Sequence, residues 1–195
     1  TVSVIDTADR RVAATIPLGG RPYGVAVAPD GSRAYTANYE ANSVSAIDTR
    51  SNTVVTTVAV GRNPTGVTVA PDGRRAYVTN SEANTVSVLD TASAAVTAVV
   101  PVGRSPLRAA LTPDGGRAYI TNADENTVSV LDTGSGTVVR TIGVGVRPIG
   151  VALAPDGRRA YVTNYTGNSV SVIDTTTDAA VATVPVGRLP DGVAV

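Results

Sequence analysis

A ten-residue stretch, P-D-G-R-R-A-Y-V-T-N, recurs four times along the chain with small variations. The copies begin at Pro29, Pro71, Pro113 and Pro155, so the repeat length is 42 residues with no insertion or deletion. A fixed period of this length is typical of repeat architectures, in which each unit packs against its neighbours. The period therefore constrains the fold before any local pattern is considered.

Each repeat has the pattern of four short β-strands joined by tight turns. In the second repeat, residues 66–70, 75–79, 85–90 and 96–102 are rich in β-branched residues or alternate polar and apolar side chains, as strands do. The intervening Pro71-Asp72-Gly73 is a turn signal, because Pro presets φ and Gly accepts positive φ. Connections this short join antiparallel neighbours, so each repeat is predicted to be a four-stranded meander.

We therefore predict an all-β protein, a β-propeller built of four-stranded antiparallel blades with a 42-residue repeat. A β-helix is the rival architecture, but its shorter coils carry fewer strands. The chain, residues 1–195, would be one domain and an incomplete arc, which we interpret as an excerpt of a larger propeller. Its parts would be a partial blade at 1–20, full blades at 21–62, 63–104, 105–146 and 147–188, and the first strand of the next blade at 189–195.

The composition argues against most catalytic chemistry. The chain has no Cys, His, Lys, Met, Phe, Trp or Gln, and its formal net charge is zero. Without His, Cys and Lys, the usual general base, zinc ligands, thiol nucleophile and Schiff-base amine are missing, although a carboxylate or tyrosine mechanism stays open. We predict no catalytic residue, no metal, no cofactor, no nucleic-acid partner and no membrane insertion.

Tyrosine, asparagine and aspartate recur once per repeat, and we expect structural roles for them. The tyrosines, Tyr35, Tyr77, Tyr119 and Tyr161, are the main aromatic mass for packing blade on blade. Asparagines bracket the loop after strand two, where they favour loop geometry but could instead face a ligand. The aspartates that end strand three should cap the following turn. The asparagines are Asn38, Asn80, Asn122 and Asn164, with Asn42, Asn84, Asn126 and Asn168; the aspartates are Asp6, Asp48, Asp90, Asp132 and Asp174.

Arginines gather where one repeat joins the next, and they are the candidate ligand-binding residues. The loops after strands two and four should open on one face, because successive strands reverse direction. Arg108 also stands where the sister repeats have Gly24, Gly66 and Gly150, beside the innermost strand. Such an array could pair with rim carboxylates, or it could bind a carboxylate or phosphate in two-point fashion; for Arg108, sequence drift is the alternative explanation. The candidates are Arg62, Arg104, Arg108, Arg147 and Arg188.

The sequence of the repeat resembles the YVTN-family β-propeller repeats of bacterial and archaeal surface-layer and secreted proteins. Residues 77–80 and 161–164 read Y-V-T-N, with P-D-G upstream and V-S-V-[IL]-D-T downstream, and the resemblance covers essentially the whole chain. The chain is more loosely similar to seven-bladed lactonases and to streptogramin lyases. The resemblance implies an extracellular or cell-surface location and a seven-bladed parent.

These observations favour a non-catalytic binding or structural module that presents a rigid loop face to a protein, a glycan or a small anionic ligand. The alternative is part of a seven-bladed lactonase or lyase whose catalytic residues lie outside this chain. An open arc exposes strand edges and an apolar inter-blade face, so we also expect the isolated chain to self-associate.

Overall fold

The computed structural model describes residues 1–195, and every regular element in it is a β-strand, so the all-β prediction is confirmed. No helix of the chain has the length and apolar character needed to cross a bilayer. The strands are β1 (Val2–Asp6), β2 (Arg11–Ile16), β3 (Pro22–Val27), β4 (Arg33–Asn38), β5 (Ser43–Asp48), β6 (Thr53–Ala59), β7 (Pro64–Val69), β8 (Arg75–Asn80), β9 (Thr85–Asp90), β10 (Ala95–Pro101), β11 (Pro106–Leu111), β12 (Arg117–Asn122), β13 (Thr127–Asp132), β14 (Thr137–Gly143), β15 (Pro148–Leu153), β16 (Arg159–Asn164), β17 (Ser169–Asp174) and β18 (Ala179–Pro185).

The strands form four four-stranded sheets and one two-stranded sheet, arranged as an incomplete β-propeller. Blade 1 is β3–β6, blade 2 is β7–β10, blade 3 is β11–β14 and blade 4 is β15–β18, and each is an antiparallel meander in chain order. The remaining sheet pairs β1 with β2. Residues 189–195, expected to be the first strand of the next blade, form no strand.

The P-D-G stretch forms the tight turn that its composition predicts. In blade 2 the N–H of Gly73 donates to the carbonyl of Ala70 at 2.8 Å, and Gly73 has φ of +72°. The Asp72 carboxylate accepts a hydrogen bond of 2.9 Å from the N–H of Arg74. Gly supplies the left-handed conformation without steric cost, which explains why the tripeptide marks every turn between strands one and two.

Three of the four recurring tyrosines pack one blade against the next, as predicted, whereas Tyr161 of blade 4 is only partly buried and belongs to none of the core clusters. Tyr77 of blade 2 is 2% exposed and shares a cluster with Ala118, Ile120 and Leu131 of blade 3. Tyr35 and Tyr119 are buried in the equivalent clusters at the other two blade junctions. Burying an aromatic side chain of this size contributes on the order of 2 kcal/mol, so these three contacts are main stabilising elements between blades.

The first strands of the blades lie side by side and line the centre of the propeller, where β3 contacts β7, β7 contacts β11, and β11 contacts β15. Glycine permits this close approach. A Cβ on Gly66 would lie 2.6 Å from the carbonyl oxygen of Leu107, and one on Gly150 would lie 2.5 Å from that of Asp191. Neither glycine has positive φ, so their role is space and not backbone conformation.

The first blade leaves an apolar strand face uncovered. Tyr23, Val25 and Val27 alternate along β3 and are 54%, 61% and 58% exposed. The equivalent residues of blade 2, Val67 and Val69, instead pack against the core cluster between blades 1 and 2. The face on β3 therefore has the side chains of an inter-blade contact without the neighbouring blade.

Candidate functional site

The loops fall on two opposite faces. The junction face carries the connections between blades together with the loops after strand two, which contact each other. For example, the N–H of Tyr39 donates to the carbonyl of Arg21, and that of Tyr165 donates to the carbonyl of Arg147, both at 2.8 Å. The turn face carries the P-D-G turns and the turns after strand three. The predicted pairing of these loops on one face is confirmed.

The second asparagine of each loop is structural, as expected. Asn84 has φ of +56°, and its Oδ1 accepts a hydrogen bond of 3.0 Å from the N–H of Ser105 at the start of the next blade. The same bond recurs one repeat on, from Arg147 to Asn126 at 2.8 Å. These amides fix the connection between blades, and their oxygens are occupied.

The first asparagine of each pair lies elsewhere than expected. Asn122 is fully buried at the end of β12, and its Nδ2 donates to Thr127 Oγ1 at 3.0 Å and Ser129 Oγ at 2.9 Å. Its Oδ1 is buried without a hydrogen-bond partner, and so are those of its three equivalents. A Cβ on Gly103 would lie 2.6 Å from the amide carbon of Asn122. These four asparagines are core residues. Both interpretations given for them, a role in loop geometry and contact with a ligand, were therefore wrong.

The aspartates at the ends of the third strands cap their turns, as predicted. The Asp90 carboxylate accepts hydrogen bonds from the N–H groups of Ala92 at 3.1 Å and Ser93 at 2.8 Å. The backbone N–H of Ser93 holds the pKa of Asp90 below its usual range, because it bonds to the ionised form. The pKa values of Asp48 and Asp132 are lowered in the same way by Ser51 and Ser135.

The five candidate arginines do not form one ring. Arg108 and Arg147 line a common cavity of about 300 Å³ at the centre of the junction face. Arg104 lies on the rim, where its Nε is 3.3 Å from the carboxylate of Glu125. Arg62 and Arg188 are exposed and line none of the main cavities. Pairing with a rim carboxylate thus accounts for Arg104. Of the five candidate arginines, only Arg108 and Arg147 line the same cavity.

Arg108 extends its side chain from blade 3 back toward blades 2 and 1. Its Nη1 donates to the carbonyl of Thr65 at 2.8 Å, and its guanidinium carbon lies 5.5 Å from the centroid of the Tyr23 ring. A cation over an aromatic face is attracted by the negative face of the ring. No carboxylate lies within ion-pair distance of Arg108, since the two ion pairs of the chain are Arg104–Glu125 and Arg117–Asp178. Its positive charge is therefore held in place but not neutralised.

Arg147 reaches the cavity because of a one-residue shift. Three of its sister junctions carry their arginine one position earlier, and here that position is Val146. Arg147 has φ of +56°, the left-handed conformation that its counterparts Asn63, Ser105 and Leu189 also adopt. The shift places this arginine among the cavity residues and leaves Arg104 on the rim.

Three further residues of the cavity were not predicted from the sequence. The seven lining residues include Tyr23, Tyr165 and Asp191. Tyr23 and Asp191 stand at a position of the repeat that is Thr65 in blade 2, and Tyr165 stands where blade 2 has Ser81. Their difference from the residues at the same repeat positions of blade 2 could have indicated them, as the replacement of glycine indicated Arg108.

Three cavities larger than that one, of about 520, 500 and 320 Å³, lie on the turn face. Their walls are mostly the P-D-G and aspartate turns that recur in each blade, and the carboxylates already accept hydrogen bonds from their own turns. The arginine of the first, Arg117, is paired with Asp178 at 2.6 Å. The second is lined by Arg33 and Arg74, which like Arg108 are in no ion pair. We place the candidate site in the smaller cavity because Arg108 departs there from the glycine of the sister blades and is held by Thr65 and Tyr23.

Comparison with known proteins agrees on the architecture. Residues 36–111 match the Choice-of-anchor I domain. No curated protein matches the sequence. Among solved structures, Kuenenia stuttgartiensis hydrazine synthase is 32% identical, with a TM-score of 0.81 over 84% of this chain and 48% of that one. A functionally unknown protein from Desulfotomaculum acetoxidans DSM 771 is 21% identical, with a TM-score of 0.90 over 99% of this chain and 65% of that one.

The chain thus spans about half the length of the hydrazine synthase chain and 65% of the Desulfotomaculum chain. The likeness at 21% identity bears on fold alone. Together with the four meander sheets, these matches identify the chain as a β-propeller-type repeat protein with a Choice-of-anchor I match at residues 36–111.

Proposed function

We propose that this protein is a non-catalytic propeller module of the cell surface that binds a small anionic ligand in the cavity of its junction face. The observation that carries the proposal is the convergence of Arg108 and Arg147 in one cavity, with no carboxylate paired to Arg108. A guanidinium with free N–H groups is suited to carboxylate or phosphate in two-point fashion. We extend the YVTN-type resemblance and the anchor-domain match at 36–111 to a surface location.

The binding proposal is tested by titrating acetate and sulfate into wild type and into Arg108→Gly, which restores the residue of the sister blades. Loss of a charged hydrogen bond is expected to weaken anion binding by about 1.5–3 kcal/mol. Arg62→Val is the matched control, because it removes a rim arginine in favour of the residue found at Val146. Equal affinities for wild type and Arg108→Gly would contradict the proposal.

The location is tested on intact cells that express the complete gene product. Surface labelling by antibody and removal of the epitope by added protease are expected. Protection of the protein until the cells are lysed would contradict a surface location.

The 32% identity to hydrazine synthase over 84% of the chain supports a second candidate, in which the chain is part of a propeller enzyme whose catalytic groups lie in other blades. The sequence of the complete gene discriminates between the two. Further blades carrying His and Glu on the junction face would favour the enzyme, whereas more near-identical repeats would favour the binding module.

A further inference from the structure

We infer that the cavity on the junction face is built for an acidic sugar of the uronic acid class, with the carboxylate on Arg108 and the sugar ring beside Tyr165. This inference rests on the proposed anion-binding function and adds the chemical class of the ligand. The cavity residues that depart from the repeat supply a cation, an aromatic ring and a hydrogen-bond acceptor within one small space.

Arg108 is arranged to receive a carboxylate. Its Nη1 is used, at 2.8 Å from the carbonyl of Thr65 and 3.4 Å from that of Leu107. Its Nε and Nη2 groups donate to no atom of the protein, and this edge of the guanidinium presents two parallel N–H groups. A planar carboxylate matches that pair of donors, and a bidentate bond is stronger than a single one.

Tyr23 acts on Arg108 as a positioning residue. The Arg108 guanidinium lies over the Tyr23 ring at 5.5 Å, and the Tyr39 ring stands 6.0 Å from that of Tyr23 with a tilt of 35°. The Tyr23 ring, itself beside the Tyr39 ring, holds the long arginine side chain across the centre of the propeller. Less rotamer freedom is then lost when a ligand binds, which raises affinity.

The rest of the cavity selects a sugar over a simple anion. Tyr165 offers an aromatic ring and Ile149 an apolar surface, on which the C–H face of a sugar ring can pack. Asp191 lines the same space and can accept hydrogen bonds from hydroxyl groups. A volume of about 300 Å³ is at the lower limit of ligand pockets and suits a monosaccharide unit.

The charges of the cavity favour a monoanion. Arg108 and Arg147 carry two positive charges and Asp191 one negative charge, so one net positive charge faces the ligand. A uronate neutralises that charge. A phosphate dianion would leave an excess negative charge beside Asp191, and like charges at short range are unfavourable.

The test is calorimetric titration of the chain with glucuronate, acetate, methyl glucoside and glucose 6-phosphate. Glucuronate is expected to bind more tightly than each of the other three. Tyr165→Ser, which restores the residue of blade 2, should weaken glucuronate binding about 2- to 10-fold and leave acetate binding unchanged. Arg108→Gly should weaken the binding of both anions about 10- to 100-fold, whereas Arg62→Val should change neither.

Tyr23 is tested by a pair of variants. Tyr23→Phe retains the ring beneath Arg108 and should bind glucuronate as wild type does, whereas Tyr23→Thr should bind about 2- to 10-fold more weakly. Thermal melting of both variants verifies that they are folded. Equal binding by both variants would overturn the positioning role.

Failure of the inference and failure of the proposed function give different results. If acetate binds as tightly as glucuronate and Tyr165→Ser has no effect, the uronate assignment is overturned while the anion site stands. If no anion binds, or if Arg108→Gly binds anions like wild type, the anion site itself is overturned. An oligogalacturonate that binds more tightly than galacturonate would support a polysaccharide as the source of the ligand, and equal affinities of these two would support a free sugar acid.

Discussion

The hydroxyl of Tyr119 in blade 3 donates a hydrogen bond of 2.7 Å to Asp178 Oδ1 in blade 4. The other oxygen of that carboxylate lies 2.6 Å from Nη1 of Arg117. The other three blades have Asn52, Ala94 and Gly136 at the position of Asp178, so this network connects blades 3 and 4 alone. Burial of the Tyr119 ring raises the pKa of its hydroxyl, which stays a donor at neutral pH.

We expect Asp178→Gly to lower the free energy of unfolding by about 1–2 kcal/mol, allowing for the solvent screening of the half-exposed Arg117. The φ of +51° at Asp178 makes glycine a substitution without strain, so the loss reports the carboxylate. Urea unfolding of Asp178→Gly, Tyr119→Phe and the double variant forms a cycle. Strictly additive losses would show that the two side chains are not coupled.

We expect Gly145→Ala to destabilise the protein by about 1–3 kcal/mol, because overpacking forces fixed neighbours to move. A Cβ there would lie 2.5 Å from the amide carbon of Asn164, which is buried and held by Ser169 and Ser171. Gly143→Ala, two residues away, is the control, since nothing lies within 4 Å of its Cβ. An equal decrease of the melting temperature in both variants would refute the close-packing argument.

Stability is expected to fall on acidification below about pH 4, where aspartates in the unfolded chain begin to bind protons. The pKa of Asp90 is lowered in the folded state, chiefly by the Ser93 N–H, so its contribution is fully present above the unfolded pKa and is lost as the pH falls through the folded one. Thermal melts from pH 6 to pH 2 measure this. Asp90→Asn should be less stable at pH 6 and should show a shallower pH dependence; parallel curves would contradict the assignment.

Self-association is expected through the exposed face of β3. Val25 and Val27 are exposed, and they are equivalent in the repeat to Val67 and Val69, which pack against a neighbouring blade. Sedimentation velocity should therefore show species larger than the monomer, and Val25→Lys should reduce them. Val139→Lys is the matched control, because Val139 is also exposed, at 52%, but lies on an outer strand. An effect of equal size from both variants would argue against this face.

Repetition explains which parts of the fold could be predicted. Strand β8 and the Pro71 turn follow from composition that recurs at a fixed interval, so four copies support each assignment. The burial of Asn122 was not predictable, because asparagine is usual in loops and its partners, Thr127 and Ser129, lie on the next strand. Only the pairing register brings these side chains together.

The candidate site was predictable only in part. Arg108 was visible as a departure from glycine, but its contact with Tyr23 crosses two blades, and no local pattern encodes such a distance. Arg62 and Arg147 look alike in sequence, and a shift of one residue separates a rim position from a cavity position. The site therefore depends on contacts of Arg108 with residues far away in sequence, Thr65 of blade 2 and Tyr23 of blade 1.

The junction residue Ser105 also has a mechanical consequence. Its N–H is bonded to Asn84 of blade 2 at 3.0 Å, and its carbonyl accepts a bond of 3.0 Å from Ala123 of blade 3. Tension along the chain must break both bonds before the fourth strand can peel from its blade. Each blade then yields as a unit, and the molecule lengthens in steps of one 42-residue repeat, about 140–150 Å of extended chain at a time.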